Sequence, residues 1–213
     1  MRGYIEYAYY LMATAAGIDM SECRLHHEGG RNHFMTRRFD RDERGRKVHM
    51  QSLGAMQHFD FNDPASYSYE QANMTIRDLG LGMDVVAQQY KRAVFNVVAR
   101  NQDDHVKNIS FLMDRSGAWR LSPAYDVAYS YNPSGSWTRD HQMSMGGKRN
   151  DFAHDDLMRF ASNVGLKSSK VNQAIENIVG AVARWQEFAE QAGVEHSDAS
   201  RIEKTFRMNL LLK

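Results

Sequence analysis

One abrupt change of pattern near the middle of the chain constrains its fold more than any other feature. From Met83 to Arg100 apolar residues recur at helical period, and Val85, Val86, Tyr90, Val94, Val97 and Val98 form one stripe. The stripe ends in the most polar tract of the sequence, Asn101-Gln102-Asp103-Asp104-His105-Val106-Lys107-Asn108. That tract runs at once into the apolar residues Ile109–Met113. A helix with a buried face and a buried strand in direct succession require a core on both sides of the polar loop. Loops held between rigid elements are where binding and chemistry concentrate.

The rest of the chain supplies that core. A helix is expected over Tyr4–Ala16, ended by Gly17. Two strands, Cys23–His27 and His33–Arg38, are joined by Glu28-Gly29-Gly30-Arg31, a hairpin signal. Asp40–Lys47 reads as a charged, solvated loop, Met50–Phe59 as a segment with a short helix, and Asn62-Asp63-Pro64 as a turn. Further helices are expected over Tyr69–Leu79, Asp151–Val164, Ser168–Glu190 and Ser197–Leu212. A second hairpin joins Ile109–Met113 to Ala118–Leu121. The fold class is therefore α+β, predominantly helical, with small β-hairpins.

With 213 residues this is one domain, and a net charge of +1 argues against a protein that holds nucleic acid by its overall field. One cysteine cannot build a disulfide framework. No signal peptide or apolar stretch of membrane-spanning length is evident, so the expectation is a cytoplasmic protein that meets no membrane. His26, His27 and His33 lack the spacing of a closed metal site.

A second acid, Asp126, follows the hairpin in Leu121-Ser122-Pro123-Ala124-Tyr125-Asp126-Val127. An antiparallel pair returns the chain to where it began, so Asp126 can converge with the acids of the loop. Asp103 and Asn108 have the D-x-x-x-x-N spacing of a kinase catalytic loop. In that chemistry one carboxylate accepts the proton of the attacking hydroxyl, while an amide oxygen and a second carboxylate hold Mg²⁺ against the transferred phosphate. Lys107 is placed to neutralise charge on the γ-phosphate. His105 reads equally as a phosphate contact and as a hydrogen-bonded structural histidine.

Taken together, Asn101–Leu112, Leu121–Val127, Phe34–Arg41 and Met143–Phe160 resemble the C-terminal kinase region of the HipA-like serine/threonine kinases, toxins of type II toxin–antitoxin pairs. The resemblance implies a protein-kinase-like C-terminal lobe over residues 1–213, with ATP and Mg²⁺ as cofactors. It implies Asp103 as catalytic base, Asn108 and Asp126 as Mg²⁺ ligands, and His105 near the nucleotide. Thr36-Arg37-Arg38-Phe39 would face the adenine, which makes Arg37 and Phe39 nucleotide-site candidates. Protein substrates, aminoacyl-tRNA synthetases among them, are implied too. So is a small helix-turn-helix antitoxin through which DNA is met indirectly.

The chain departs from the family at the front. No G-x-G-x-x-G or G-x-x-x-x-G-K-[ST] occurs. Gly29-Gly30 belongs to a hairpin, and Met145-Gly146-Gly147-Lys148 follows the acids instead of preceding them. Glu6 lies where a partner for the family's nucleotide-binding lysine would sit. The expectation is phosphate transfer that is weak or absent in this chain alone. The alternatives are a non-catalytic toxin remnant that binds an antitoxin, a small-molecule phosphotransferase, and a phosphohydrolase built on Asp103, Asp104, His105 and Asp126.

Overall fold

The computed structural model describes residues 2–63 and 65–211. Pro64, which closes the expected Asn62-Asp63-Pro64 turn, and Leu212, the expected end of the last helix, lie outside them.

The first helix, α1 (Arg2–Ala15), buries Ala8, Tyr9, Met12 and Ala13, the spacing of one helical face. Gly17 at φ +77° turns the chain out of it. Strands β1 (Cys23–Glu28) and β2 (Arg31–Thr36) pair antiparallel, with Glu28 opposite Arg31. Gly29 and Gly30 are both left-handed, at φ +57° and +74°, as a two-residue type I′ turn requires.

The segment expected to hold only a short helix begins instead with strand β3 (His49–Ser52), followed by α2 (Leu53–Gln57). The Ser52 hydroxyl accepts from the Ala55 N–H at 3.2 Å and so caps α2. The strand half is stabilised by pairing with a segment far along the chain, which no local period can announce. Helix α3 (Tyr69–Asp78) starts on a Ser68/Gln71 capping box. It leads into α4 (Met83–Val98), whose buried face includes Val86, Tyr90, Val94, Val97 and Val98. Strands β4 (Ser110–Met113) and β5 (Trp119–Leu121) form the expected hairpin, and β3 completes an antiparallel sheet in the order β3-β4-β5.

Four helices follow: α5 (His154–Asn163), α6 (Ser168–Ala183), α7 (Trp185–Ala192) and α8 (His196–Glu203), then a 3₁₀ turn at Met208–Leu211. Both long helices expected here are broken. At Arg184 (φ −91°, ψ 17°) the chain bends, and the first residue of α7, Trp185, is fully buried against Tyr9 and Phe206. After Glu203 the backbone leaves the helix, and the Arg207 N–H bonds the Val98 carbonyl at 3.0 Å. In both places a long-range contact outweighs continued local helix.

One hydrophobic cluster runs through the molecule. Helix α1 packs on α7, and α4 on α6. Among the described residues no helix is long and apolar enough to cross a membrane.

Candidate active site

Helix α4 delivers the polar loop, and the loop is tied down from its first residue. Arg100 sits at φ +57°, and its Nε donates to the Thr205 carbonyl at 2.6 Å. The side-chain amide of Asn101 donates to Asn96 Oδ1 at 2.9 Å, and that of Gln102 to the Arg139 carbonyl at 2.8 Å.

The two adjacent acids then point opposite ways. Asp104 turns inward, its side chain 1% exposed. It accepts from Tyr69 Oη at 2.6 Å, His141 Nδ1 at 2.7 Å and the Gln142 N–H at 2.7 Å. Burial alone would raise its pKa, but the electrostatic effect of His141 together with these hydrogen bonds to the charged form outweighs burial and holds the carboxyl below its ordinary value. Behind His141, Arg207 donates to Nε2 at 3.0 Å. Burial, reinforced by Arg100, lowers Arg207 to about 10, so it stays a cation at neutral pH.

Asp103 turns outward, its side chain 47% exposed, with His105 Nε2 at 3.7 Å from Oδ1. The Asn108 side-chain amide donates to the Asp103 backbone carbonyl at 2.9 Å, which leaves its Oδ1 as an oxygen donor. Tyr125 Oη lies 2.5 Å from Ser110 Oγ and also bonds the Lys107 carbonyl. The hairpin's return strand is thereby fastened to the loop. Asp126 follows on an exposed turn at φ +54°, unusual for a residue with a side chain.

His105, Asn108, Tyr125 and Asp126 line one small cleft of about 30 Å³. Asp126 and Tyr125 also line a neighbouring groove of about 250 Å³, together with Glu6, Met20, Cys23, Phe34 and Thr36. Phe39 packs its ring on Tyr125 at 5.3 Å. Arg37 lines a separate groove with Glu22, Arg24, Met35 and Thr36, and its N–H is used by the Glu22 carbonyl at 2.8 Å. Lys107 places its Nζ over the Phe61 ring, 3.1 Å from the centroid. Glu6 pairs with Arg2 at 3.2 Å on the wall of the larger groove. The structure thus brings His105, Asn108 and Asp126 together beside Asp103, sets Phe39 against their support, and holds Arg37 and Lys107 to other partners.

The Met145–Lys148 segment is a tight turn, with Gly146 and Gly147 at φ +58° and +79°. Its lysine is bound to Asp156 at 2.7 Å. Asp40 pairs with Arg38 and Arg41, and Asp42 with Arg46, so part of the charge of the Asp40–Lys47 loop is paired locally.

Of the three residues that hold the loop, His141 and Arg207 carried no role in the sequence, and Asp104 entered only as a member of the phosphohydrolase alternative. A doubled acid at a loop mouth is a partial signal, since neighbours in an extended turn face opposite sides. Nothing local marks His141 or Arg207.

An oxygen pair such as Asn108 Oδ1 and Asp126 suits a hard cation like Mg²⁺, which takes few protein ligands beside phosphate and water. Among the described residues no three His, Cys, Asp or Glu side chains converge on a metal position.

A long helix delivers an acid-bearing loop, a hairpin returns the chain to it and a second acid stands on a left-handed turn, all within a predominantly helical α+β fold. The family model for the HipA-like C-terminal domain matches residues 2–186, and the chain belongs to that family. A Haemophilus influenzae protein provisionally named a kinase is 24% identical over 97% of this chain. A Sinorhizobium fredii protein, provisionally named kinase Y4mE, is 28% identical over 81% of it. The HipA toxin of Shewanella oneidensis MR-1, solved with HipB and its operator DNA, superposes with a TM-score of 0.75 at 16% identity over 99% of the chain. The proinflammatory kinase CtkA of Helicobacter pylori superposes with a TM-score of 0.59 at 10% identity over 98% of the chain. At such identities the two structures establish the fold. The chain spans 69% and 43% of the two curated relatives, 54% of the HipA chain and 85% of CtkA.

Proposed function

We propose that this chain is the catalytic part of a serine/threonine protein kinase that transfers the γ-phosphate of ATP to a protein hydroxyl with Mg²⁺. The observation that carries this reading is the placement of Asp126. It shares one cleft with Asn108 and His105 and also walls the larger groove that reaches Glu6 and Thr36. Asp103, exposed beside His105, accepts the proton of the attacking hydroxyl. Asn108 Oδ1 and the Asp126 carboxylate hold Mg²⁺, which when bound neutralises charge on the transferring phosphate. His105 orients Asp103 from 3.7 Å. Nucleotide occupies the groove between Asp126 and Thr36, with Phe39 fixing Tyr125 behind it. Lys107 reaches phosphate only by leaving the Phe61 ring.

No glycine-rich phosphate loop occurs in these 213 residues, and backbone donors over the phosphates are a large share of what a kinase contributes. Transfer by this chain alone is therefore weak. A HipB-like antitoxin, with DNA met through it, is the partner class favoured by the complex in which the Shewanella HipA was solved.

Calorimetry of ATP with and without Mg²⁺ tests the reading. Mg²⁺ tightens nucleotide binding in the wild type, and Asp126→Ala abolishes the gain. Absence of any Mg²⁺ effect in the wild type refutes the proposal and leaves the non-catalytic, antitoxin-binding remnant in its place.

A further inference from the structure

Among the buried ionisable groups that this chemistry leaves unused, three form one chain. Arg207 lies in the segment after α8, beyond the residues matched by the family, and is 8% exposed. One of its terminal nitrogens donates to the Val97 carbonyl and to His141 Nε2, each at 3.0 Å. The other donates to Asn150 Oδ1 at 2.6 Å, and the backbone N–H bonds the Val98 carbonyl at 3.0 Å. Val97 and Val98 end α4, where carbonyls lack partners within the helix and a cation is favoured. Arg207 thus occupies the point where the helix hands over to the polar loop. Arg100, the first residue of that handover, holds the same tail through Thr205.

A guanidinium only donates, so His141 Nε2 must present its lone pair to Arg207. The imidazole proton is then on Nδ1, where it meets Asp104 Oδ2 at 2.7 Å. Asp104 follows Asp103 directly, and the Asp103 carbonyl is the one to which the Asn108 amide is fastened. A displaced Asp104 therefore moves both the base and a metal ligand through the shared backbone.

We propose that Arg207 is a positioning residue for the Asp103–Asn108 loop, acting by donating to His141 Nε2 so that the ring turns its Nδ1–H onto Asp104 and thereby fixes that carboxylate. The proposal rests on the phosphotransfer reading above. Without the guanidinium, the contact that sets the His141 ring against Asp104 is lost. Direct partners of metal ligands change metal affinity by about 10- to 100-fold when removed, and Arg207 acts from further back, so the lower end of that range applies.

The test uses the full chain, ¹⁵N-labelled, with ATP and Mg²⁺ as probes. In the wild type the His141 ring signals show a proton on Nδ1 and a hydrogen-bonded, unprotonated Nε2. In Arg207→Met the Nε2 signal loses its hydrogen-bonded shift, and the factor by which Mg²⁺ tightens ATP binding falls by about tenfold. Should Arg207→Met not fold, Asn150→Ala, which removes one acceptor of the guanidinium, is read the same way, with a smaller loss expected. A wild-type His141 protonated on Nε2 overturns the proposal. So does a folded variant that keeps the full Mg²⁺ factor, and in that case the phosphotransfer reading stands. If Mg²⁺ has no effect in the wild type, the phosphotransfer reading fails and this proposal falls with it.

Discussion

The same chemical change made at two adjacent residues should have opposite consequences. Asp104→Asn replaces a carboxylate that is 1% exposed and accepts three hydrogen bonds, from Tyr69, His141 and the Gln142 N–H. An asparagine in that position puts its NH₂ either against the Tyr69 hydroxyl and His141 Nδ1–H or against the Gln142 N–H. His141 cannot adapt by moving its proton, because Arg207 donates to its other nitrogen. Breaking a buried charged network from one side costs about 3–5 kcal/mol. For a chain of this size each kcal/mol moves the Tm by about 2–4 °C, so the variant should melt about 6–20 °C below the wild type. Asp103→Asn touches a side chain that is 47% exposed and whose one ion-pair partner, His105, is 3.7 Å away. Such an exposed pair is worth about 1 kcal/mol or less, and the Tm should stay within about 4 °C. Scanning calorimetry of the wild type and both variants at neutral pH reads the difference. Equal shifts, or an Asp104→Asn variant melting within about 4 °C of the wild type, would refute the division of labour between the two acids.

Three further outcomes follow from the packing and the charges. Asp104 and Asp156 are both held below the ordinary carboxylate value despite burial, Asp156 by Lys148, the Ala153 N–H and Arg159. Their stabilisation is therefore present above the unfolded pKa of about 4 and lost as pH falls through the lower folded values. The urea midpoint should drop steeply below about pH 4, and a midpoint level from about pH 3 to 7 would contradict this. Trp185→Ala removes a fully buried ring that meets Tyr9 edge-on and donates to the Ala199 carbonyl, and should cost about 3–5 kcal/mol in urea unfolding. Gly30, at φ +74° with open space around it, bears backbone strain alone when substituted. Gly30→Ala should cost about 1–2 kcal/mol and Gly30→Asn less; equal costs would show that the left-handed turn is not what glycine serves there.

Residues whose structure depends on near neighbours were legible. The helical stripe of α4, the type I′ turn at Gly29-Gly30 and the hairpin after Asn108 all follow from period and turn chemistry. The spacing of Asp103 and Asn108 singled out a loop whose members the fold does gather, with Asp126 brought back by the hairpin. What stayed hidden depends on partners distant in sequence. Strand β3 pairs with β4 across about sixty residues, Trp185 breaks a helix to reach Tyr9, and His141 and Arg207 meet the loop from separate segments.

Sequence alone therefore determined which chemical groups are available and the local elements that carry them: a helix, a polar loop, a hairpin and a second acid. Only the tertiary structure decided which of two identical neighbouring carboxylates faces solvent and which is spent on holding the loop. Local periodicity is a property of backbone geometry and can be read in a few residues. The facing of Asp103 and Asp104 is set by hydrogen-bond partners that reach them only once the whole core has closed.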